Sequence, residues 1–84
     1  MSSLDFIPLF AQAAREVSGT VVNGFDRDTV ISDLDLDSVA VVELVAYLEE
    51  QLGIRVPDDE LARVKTVGDL EAVVRELAVN VRRS

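Results

Sequence analysis

The sequence predicts an all-α protein, a small four-helix bundle in which three longer helices and one short helix are accompanied by a long loop between helices 1 and 2. Apolar residues recur at intervals of three and four in three separate stretches, which is helical spacing. No segment alternates apolar and polar residues for long enough to predict a strand. Because 84 residues suit one small domain, we expect residues 1–84 to form a single domain.

The first predicted helix lies near the amino terminus and ends at Gly19. Proline has no N–H to donate to the carbonyl of Leu4, so the regular helix is expected to begin with Asp5 as N-cap and Pro8 in its first turn. The apolar residues with helical spacing are Leu4, Ile7, Phe10, Ala14 and Val17.

Residues 19–37 are predicted to form the long loop, because they contain two glycines, an asparagine and several aspartates without a sustained period. A loop of this length in so small a domain indicates function. Its apolar residues are expected to hold it against the core, and they are Val21, Val22, Phe25, Val30, Ile31, Leu34 and Leu36.

Three further helices are predicted after the loop. Residues 38–52 form a helix that Gly53 stops, and Pro57 precedes a short helix at about residues 58–62. Thr66 and Asp69 have the spacing of a capping box for the last helix. The apolar face of that helix comprises Val67, Leu70, Val73, Val74, Leu77 and Val81.

The composition excludes several classes of site. The chain has no cysteine and no histidine, so it offers no disulfide, no zinc thiolate and no Ser-His-Asp arrangement, and we expect neither a catalytic nor a metal site. The amino terminus lacks the basic and apolar regions of a signal peptide, and no stretch is long enough to span a membrane. We therefore expect a cytoplasmic monomer.

Negative charge is concentrated in the middle of the chain. The net charge is −8, and residues 26–60 contain eleven acids and two arginines. Nucleic acid is an improbable partner, because its phosphates would be repelled. A basic patch on a partner protein is the natural complement, although acidity of this size also serves solubility alone.

The segment DLDLDSV, residues 33–39, permits three interpretations. A strand is disfavoured, because the alternation is short and aspartate is rare in strands. A calcium loop is disfavoured, because Ser38 and Leu44 stand where an EF-hand needs glycine and glutamate. A helix start remains, with Asp37 as N-cap and Ser38 exposed where the positive end of the helix favours an anion such as a phosphodiester. A capping pair with an idle serine stays open.

A helical wheel of residues 38–52 shows two apolar stripes. The core stripe comprises Val41, Leu44, Val45, Leu48 and Leu52. The second stripe comprises Val39, Val42 and Ala46, and Glu43, Glu49 and Glu50 surround it. An apolar patch with a charged rim is typical of a docking surface, unless the loop or the short helix covers it.

These residues resemble the acyl carrier protein family. The motif Leu-Gly-x-Asp-Ser-Leu corresponds to residues 34–39, and similar spacing continues without gaps to about residue 74. The family's remaining motifs are matched by Val42-Glu43-Leu44, Leu48-Glu49-Glu50, Val56-Pro57-Asp58-Asp59 and Thr66-Val67. The first helix is similar in character only.

The resemblance implies a carrier rather than an enzyme. It implies that a phosphopantetheinyl transferase attaches 4′-phosphopantetheine to Ser38, and that Val64 helps to close over the acyl chain. It also implies partners with basic docking patches, such as an acyltransferase, a ketosynthase or an acyl or aminoacyl ligase. Recognition acids are implied at Asp37, Glu43, Glu49 and Glu50, and apolar docking at Val39, Val42 and Ala46.

Two positions depart from the family pattern. Asp35 replaces the family glycine, and Ala40 stands where fatty-acid carriers commonly have an acid. With arginine outnumbering lysine seven to one, as in GC-rich genomes, these departures suggest a discrete carrier of acyl or aminoacyl groups in polyketide or related specialised metabolism. A fatty-acid carrier and an unmodified acidic interaction module remain alternatives.

Overall fold

The computed structural model describes residues 6–22 and 24–83, with side chains up to Val79. It contains four α-helices, α1 (Phe6–Ser18), α2 (Ser38–Leu52), α3 (Asp58–Leu61) and α4 (Val67–Arg83). A short 3₁₀ helix, Ile31–Leu34, interrupts the loop between α1 and α2. Among the described residues no strand forms, so the predicted all-α bundle with three longer helices and one short helix is confirmed.

The core is formed by the apolar faces of α1, α2 and α4. In α1, Phe6 and Ala13 are buried together with the predicted Phe10 and Ala14, and Pro8 stands in the first turn, where its missing N–H is harmless. The predicted N-cap Asp5, the predicted apolar residue Leu4 and the side chain of Val81 lie outside the described residues. The other buried apolar residues of the three helices are Leu44, Val45, Leu48, Val67, Leu70 and Val74.

The helix ends follow the sequence signals closely. Gly19 adopts positive φ after α1, and its N–H donates to the Arg15 carbonyl at 2.9 Å. At the start of α4 the Asp69 N–H donates to Thr66 Oγ1 at 3.0 Å, and the Thr66 N–H donates to Asp69 Oδ2 at 3.1 Å. The predicted capping box is therefore present, and the backbone donors of Thr66 and Lys65 lower the pKa of Asp69.

The turn between α2 and α3 depends on Glu49. Gly53 adopts positive φ, and the N–H of Ile54 donates to the Glu49 carbonyl at 3.1 Å. The Glu49 carboxylate also accepts a hydrogen bond from the buried Val56 N–H at 2.6 Å. One residue thus binds the turn through both its backbone and its side chain.

The long loop packs less completely than the sequence suggests. Ile31 and Leu36 are buried as predicted, whereas Val21 is 68% exposed and Val30 is 40% exposed. For these two valines the prediction of core contact was wrong, because Val21 lies in an irregular segment near α1 and the Val30 backbone bridges Thr66. The remaining apolar loop residues are partly buried, and they are Val22, Phe25 and Leu34.

Asp35 adopts the left-handed conformation, with φ of 61° and ψ of 28°, and it is the only described residue other than glycine with positive φ. It follows the 3₁₀ helix and turns the chain toward α2. A residue without a side chain would adopt this conformation with less strain. The family glycine at this position therefore has a conformational reason, and aspartate is among the few residues that tolerate the same geometry.

The second half of the loop is joined to the start of α4 by backbone hydrogen bonds. The N–H groups of Gly68 and Val67 donate to the carbonyls of Arg27 and Thr29 at 2.8 and 3.0 Å. The Ile31 N–H donates to the Lys65 carbonyl at 2.9 Å. Because the first N–H groups of a helix have no intrahelical acceptor, the loop carbonyls satisfy donors that would otherwise be unpaired.

A buried carboxylate reinforces this junction. Glu71 is 5% exposed, and it accepts hydrogen bonds from Arg27 in the loop and from Arg75 one turn further along α4. The Arg27 guanidinium holds the pKa of Glu71 below its ordinary value despite burial, which acts in the opposite direction, and Arg75 adds to the lowering. No helix among the described residues is long and apolar enough to cross a membrane.

Candidate functional site

Ser38 is the first residue of α2, and its side chain is exposed. Asp37 is the N-cap, as predicted, and its Oδ1 accepts a hydrogen bond from the Ala40 N–H at 2.7 Å. The backbone N–H groups of Ser38 and Val39 keep no intrahelical acceptor, so the positive end of the helix points toward the serine. The Ser38 hydroxyl forms no hydrogen bond with any described residue, which leaves its oxygen available.

A groove of about 550 Å³ opens beside Ser38. One wall comes from α2, and the other comes from the loop, the end of α3 and the segment between α3 and α4. Most of its lining is aliphatic, and Lys65, the single lysine of the chain, contributes the one positive charge among the lining residues. The lining residues are Val30, Ile31, Ser32, Leu36, Ser38, Val41, Val42, Leu61, Val64 and Lys65.

Val64, which the resemblance assigns to closing over the acyl chain, is one of the residues that line the groove. It is partly buried against the core, and its N–H donates to the Leu61 carbonyl at 3.1 Å. The groove also contains Val30 and Ile31, which the sequence assigned only to the packing of the loop. Their contribution depends on the junction of loop and α4, so no local sequence signal could have identified it.

The second apolar stripe of α2 is uncovered. Val39 is 65% exposed, Val42 is 57% exposed, and Ala46 is also exposed. Neither the loop nor α3 covers the stripe, which leaves a continuous apolar strip beginning next to Ser38. Val42 additionally lines the groove, so the strip and the groove share an edge.

The acidic residues around the stripe differ in their surroundings. Glu43 and Glu50 are exposed, and with Ala46 they line a second, shallower groove of about 380 Å³ toward α1. Tyr47 lies in the same groove, and its hydroxyl accepts a hydrogen bond from the Gln12 amide at 3.3 Å. Glu49 is partly buried and binds the turn after α2, a structural role that the sequence interpretation missed.

The acidic segment around Ser38 shows no arrangement suited to a metal ion. Among the described residues, no group of three or more acidic side chains is placed to hold one. Asp33 lies within the 3₁₀ helix, Asp35 follows it in the left-handed conformation, and Asp37 caps α2. The three aspartates therefore occupy three different backbone environments.

Comparison with known proteins identifies the family. The phosphopantetheine attachment site family matches residues 9–74, which include most of α1, the long loop, α2, α3 and the first part of α4. The chain belongs to the acyl carrier protein family, because curated acyl carrier proteins are also 32–35% identical to it over most of its length. The predicted resemblance is confirmed, and it extends further than the part recognised from residue 34 to residue 74, because it includes most of α1.

Among the similar curated proteins is an acyl carrier protein of Rhodococcus erythropolis. It is 35% identical over 74 residues, which are 87% of this chain and 81% of the relative. A meromycolate extension acyl carrier protein of Mycolicibacterium aurum is 32% identical over 77 residues, 90% of this chain and 79% of the relative.

The similar solved structures are also carriers. The acyl carrier protein of Thermotoga maritima has a TM-score of 0.84 at 27% identity, covering 89% of this chain and 88% of that one. The hexanoyl carrier of the actinorhodin polyketide synthase from Streptomyces coelicolor has a TM-score of 0.74 at 29% identity, covering 95% and 93%.

Membership in the family establishes a carrier that is not itself an enzyme. Its cofactor is 4′-phosphopantetheine, the group for which the matched family is the attachment site. The residues at the start of α2 fit that group, because they combine an exposed hydroxyl, free backbone donors and an adjoining apolar groove. Carriers of this kind interact with biosynthetic enzymes, for which the uncovered α2 stripe is the candidate surface.

Proposed function

We propose that this carrier holds acyl groups on a 4′-phosphopantetheine arm attached to Ser38. The single observation that carries the proposal is the position of Ser38, exposed at the positive end of α2 and at the rim of the apolar groove. The free N–H groups of the first turn and Lys65 at the groove favour the negative charge of a phosphodiester. When bound, the arm supplies a thiol that this cysteine-free chain lacks.

Attachment requires a separate transferase and coenzyme A. The Ser38 oxygen attacks the phosphorus that bears the pantetheine group, a new O–P bond forms, and adenosine 3′,5′-bisphosphate leaves. The serine proton passes to a base of the transferase. Asp37 fixes the backbone of the site, because its carboxylate is already engaged by the Ala40 N–H.

The test is incubation with a broad-specificity phosphopantetheinyl transferase and coenzyme A, followed by intact mass. We expect the mass of one phosphopantetheine to be added to the wild-type chain and none to Ser38→Ala. Ser32→Ala is the matched control, because Ser32 is the other serine of the same groove and should leave loading unchanged. A wild-type chain that is never loaded, yet still binds a partner, would instead support an unmodified interaction module.

We infer that partner enzymes dock on the α2 stripe. Val39, Val42 and Ala46 would fill an apolar patch on the partner, while Glu43 and Glu50 meet basic residues around it. Candidate partners are the transferase, an acyltransferase, a ketosynthase and an acyl or aminoacyl ligase. Glu49 is assigned to the same surface, but its carboxylate also accepts the hydrogen bond from the Val56 N–H that stabilises the turn after α2.

We further propose that the groove receives part of the arm or its acyl group, with Val64 closing one side. The aliphatic lining supports this, since burying an acyl chain there removes apolar surface from water. The expected result is that a Val64→Asp variant loads normally on Ser38 and leaves a medium-length acyl thioester more accessible to hydroxylamine. Equal accessibility in both proteins would exclude the groove as the binding place.

For the pathway, we propose polyketide or related specialised metabolism. Ala40 at a position where fatty-acid carriers commonly have an acid supports this, as does the similarity to the actinorhodin carrier. A fatty-acid carrier is the second candidate, favoured by relatives named as meromycolate extension carriers. The mass of the species attached to Ser38 in protein isolated from its native host decides between them.

A further inference from the structure

We propose that Arg27 is a positioning residue that holds the loop wall of the Ser38 groove in place through the buried Glu71. The effect of Arg27 on a bound acyl group rests on the proposed function of the groove, whereas its effect on the position of the loop does not. Arg27 and Glu71 lie 44 positions apart in the sequence, and neither contacts the groove directly.

The pair is a strong local contact. Arg27 donates from Nε to Glu71 Oε1 and from Nη2 to Oε2 at 3.2 Å, which is a bidentate, charge-assisted arrangement. The Glu71 side chain is 7% exposed, whereas that of Arg27 is 60% exposed. A buried carboxylate is strongly destabilising without its cationic partners, so the ion pair with Glu71 holds Arg27 and its part of the loop against α4.

The contact is transmitted to the groove through the backbone. Two residues after Arg27, the Thr29 carbonyl accepts from the Val67 N–H, and then Val30 and Ile31 pair with Thr66 and Lys65. Val30 and Ile31 are themselves lining residues of the groove. The pair at Glu71 therefore stands at the start of a short backbone ladder that ends in the groove wall.

Close packing makes this junction sensitive to the position of Arg27. A side-chain carbon on Gly68 would lie 2.9 Å from the Arg27 carbonyl oxygen, so the loop backbone approaches α4 as closely as a glycine permits. In the segment before Arg27, Phe25 packs against Phe10 of α1 with ring centroids 5.4 Å apart, whereas Val21, Gly24 and Asp26 are exposed. The packing of that segment is thus directed at α1, and the ion pair is the side-chain contact that joins this part of the loop to α4. Without the ion pair, the loop end of the ladder should open more often.

Amide hydrogen exchange of the chain without its arm tests the structural step. In Arg27→Ala we expect exchange at the N–H groups of Ile31, Val67 and Gly68 to accelerate by about tenfold, the scale of one partly exposed charge-assisted hydrogen bond. The N–H of Leu48, in the middle of α2, serves as the reference for global unfolding. Arg27→Lys keeps the positive charge but cannot form the bidentate pair, so its exchange rates should lie between those of the wild-type chain and Arg27→Ala.

Arg75→Ala is the matched control. Arg75 binds the same carboxylate at 3.0 Å but comes from α4 itself, so its removal weakens the site without detaching the loop. We expect the three junction amides to exchange more slowly in Arg75→Ala than in Arg27→Ala at equal global stability. Equal exchange in both variants, or an acceleration in Arg27→Ala that includes Leu48 to the same extent, would overturn the proposal.

The functional step is tested on protein loaded with an octanoyl thioester. Arg27→Ala should react with hydroxylamine several-fold faster than Arg75→Ala, whereas acetyl thioesters, which have no chain to bury, should react alike in both. Equal octanoyl rates would refute the effect on cargo. If the wild-type chain accepts no arm at all, the proposed function fails, while the exchange comparison still decides whether Arg27 holds the wall.

Discussion

The left-handed backbone of Asp35 leads to a prediction about stability at the entrance to α2. With φ of 61° and ψ of 28°, this residue lies in a conformation that costs an ordinary side chain about 1–2 kcal/mol. Glycine avoids this strain, but its greater conformational freedom in the unfolded state destabilises the folded chain by about 0.4–1 kcal/mol. We therefore expect Asp35→Gly to be more stable than Asp35→Ala by about 1 kcal/mol, and close to the wild-type chain.

Equilibrium urea unfolding, followed by far-ultraviolet circular dichroism, measures this difference. In thermal unfolding the same difference corresponds to about 4–8 °C for a domain of this size. Asp33→Ala is the control for loss of charge alone, because Asp33 lies in the same acidic segment with ordinary 3₁₀ geometry. An Asp35→Ala protein as stable as Asp35→Gly would refute the strain argument.

Four further predictions concern the turn after α2, the docking surface, the buried carboxylate and the close approach of the loop to α4. Glu49→Ala should lower the free energy of unfolding by about 1–2 kcal/mol, because it removes the hydrogen bond to the turn after α2. Glu43→Ala is the control and should change the free energy of unfolding by less than about 0.5 kcal/mol. Urea unfolding of both proteins measures the difference. In partner binding, Glu43→Lys should weaken affinity and flatten its salt dependence without loss of stability, and an unchanged affinity would make Glu43 a solvated residue only. The pKa of Glu71 in the folded chain is lowered from its ordinary value of 4.5. The stability that the Glu71 carboxylate contributes is therefore complete above pH 4.5 and is lost as the pH falls through the folded pKa. Glu71→Gln should remove this part of the pH dependence of the melting temperature, and an unaltered pH dependence would contradict the prediction. Gly68→Ala should cost about 1–3 kcal/mol in urea unfolding, because the new carbon meets the Arg27 carbonyl, and a neutral result would show that the loop yields freely.

The parts of this fold that local sequence signals predicted are those that local chemistry determines. Gly53 ends α2, Asp37 caps its start, and Thr66 with Asp69 caps α4, because each signal acts within one helical turn. The wheel of α2 separated the buried Leu44 from the exposed Val42 for the same reason. Such features require no knowledge of the other helices.

The features that escaped prediction depend on residues distant in the sequence. Nothing near Glu71 indicates that Arg27 will reach it from the loop, and nothing near Val30 indicates that its backbone pairs with Thr66 while its side chain stays exposed. The second role of Glu49 depends on how the chain returns after Gly53. For the candidate site, the sequence predicted that Ser38 and the second stripe of α2 are exposed, but it could not predict the groove, whose walls come from three separate segments.

The bare valines of α2 also affect how copies of the carrier behave toward one another in solution. Val39 and Val42 offer apolar surface for contact between two molecules, because they lie more than half exposed on the same stripe of α2. The net charge of −8 opposes that meeting, and this repulsion has a range of only about 8 Å at physiological ionic strength. Concentrated salt should therefore favour self-association through the same stripe, so we expect the acidity of the chain to keep it monomeric at low salt.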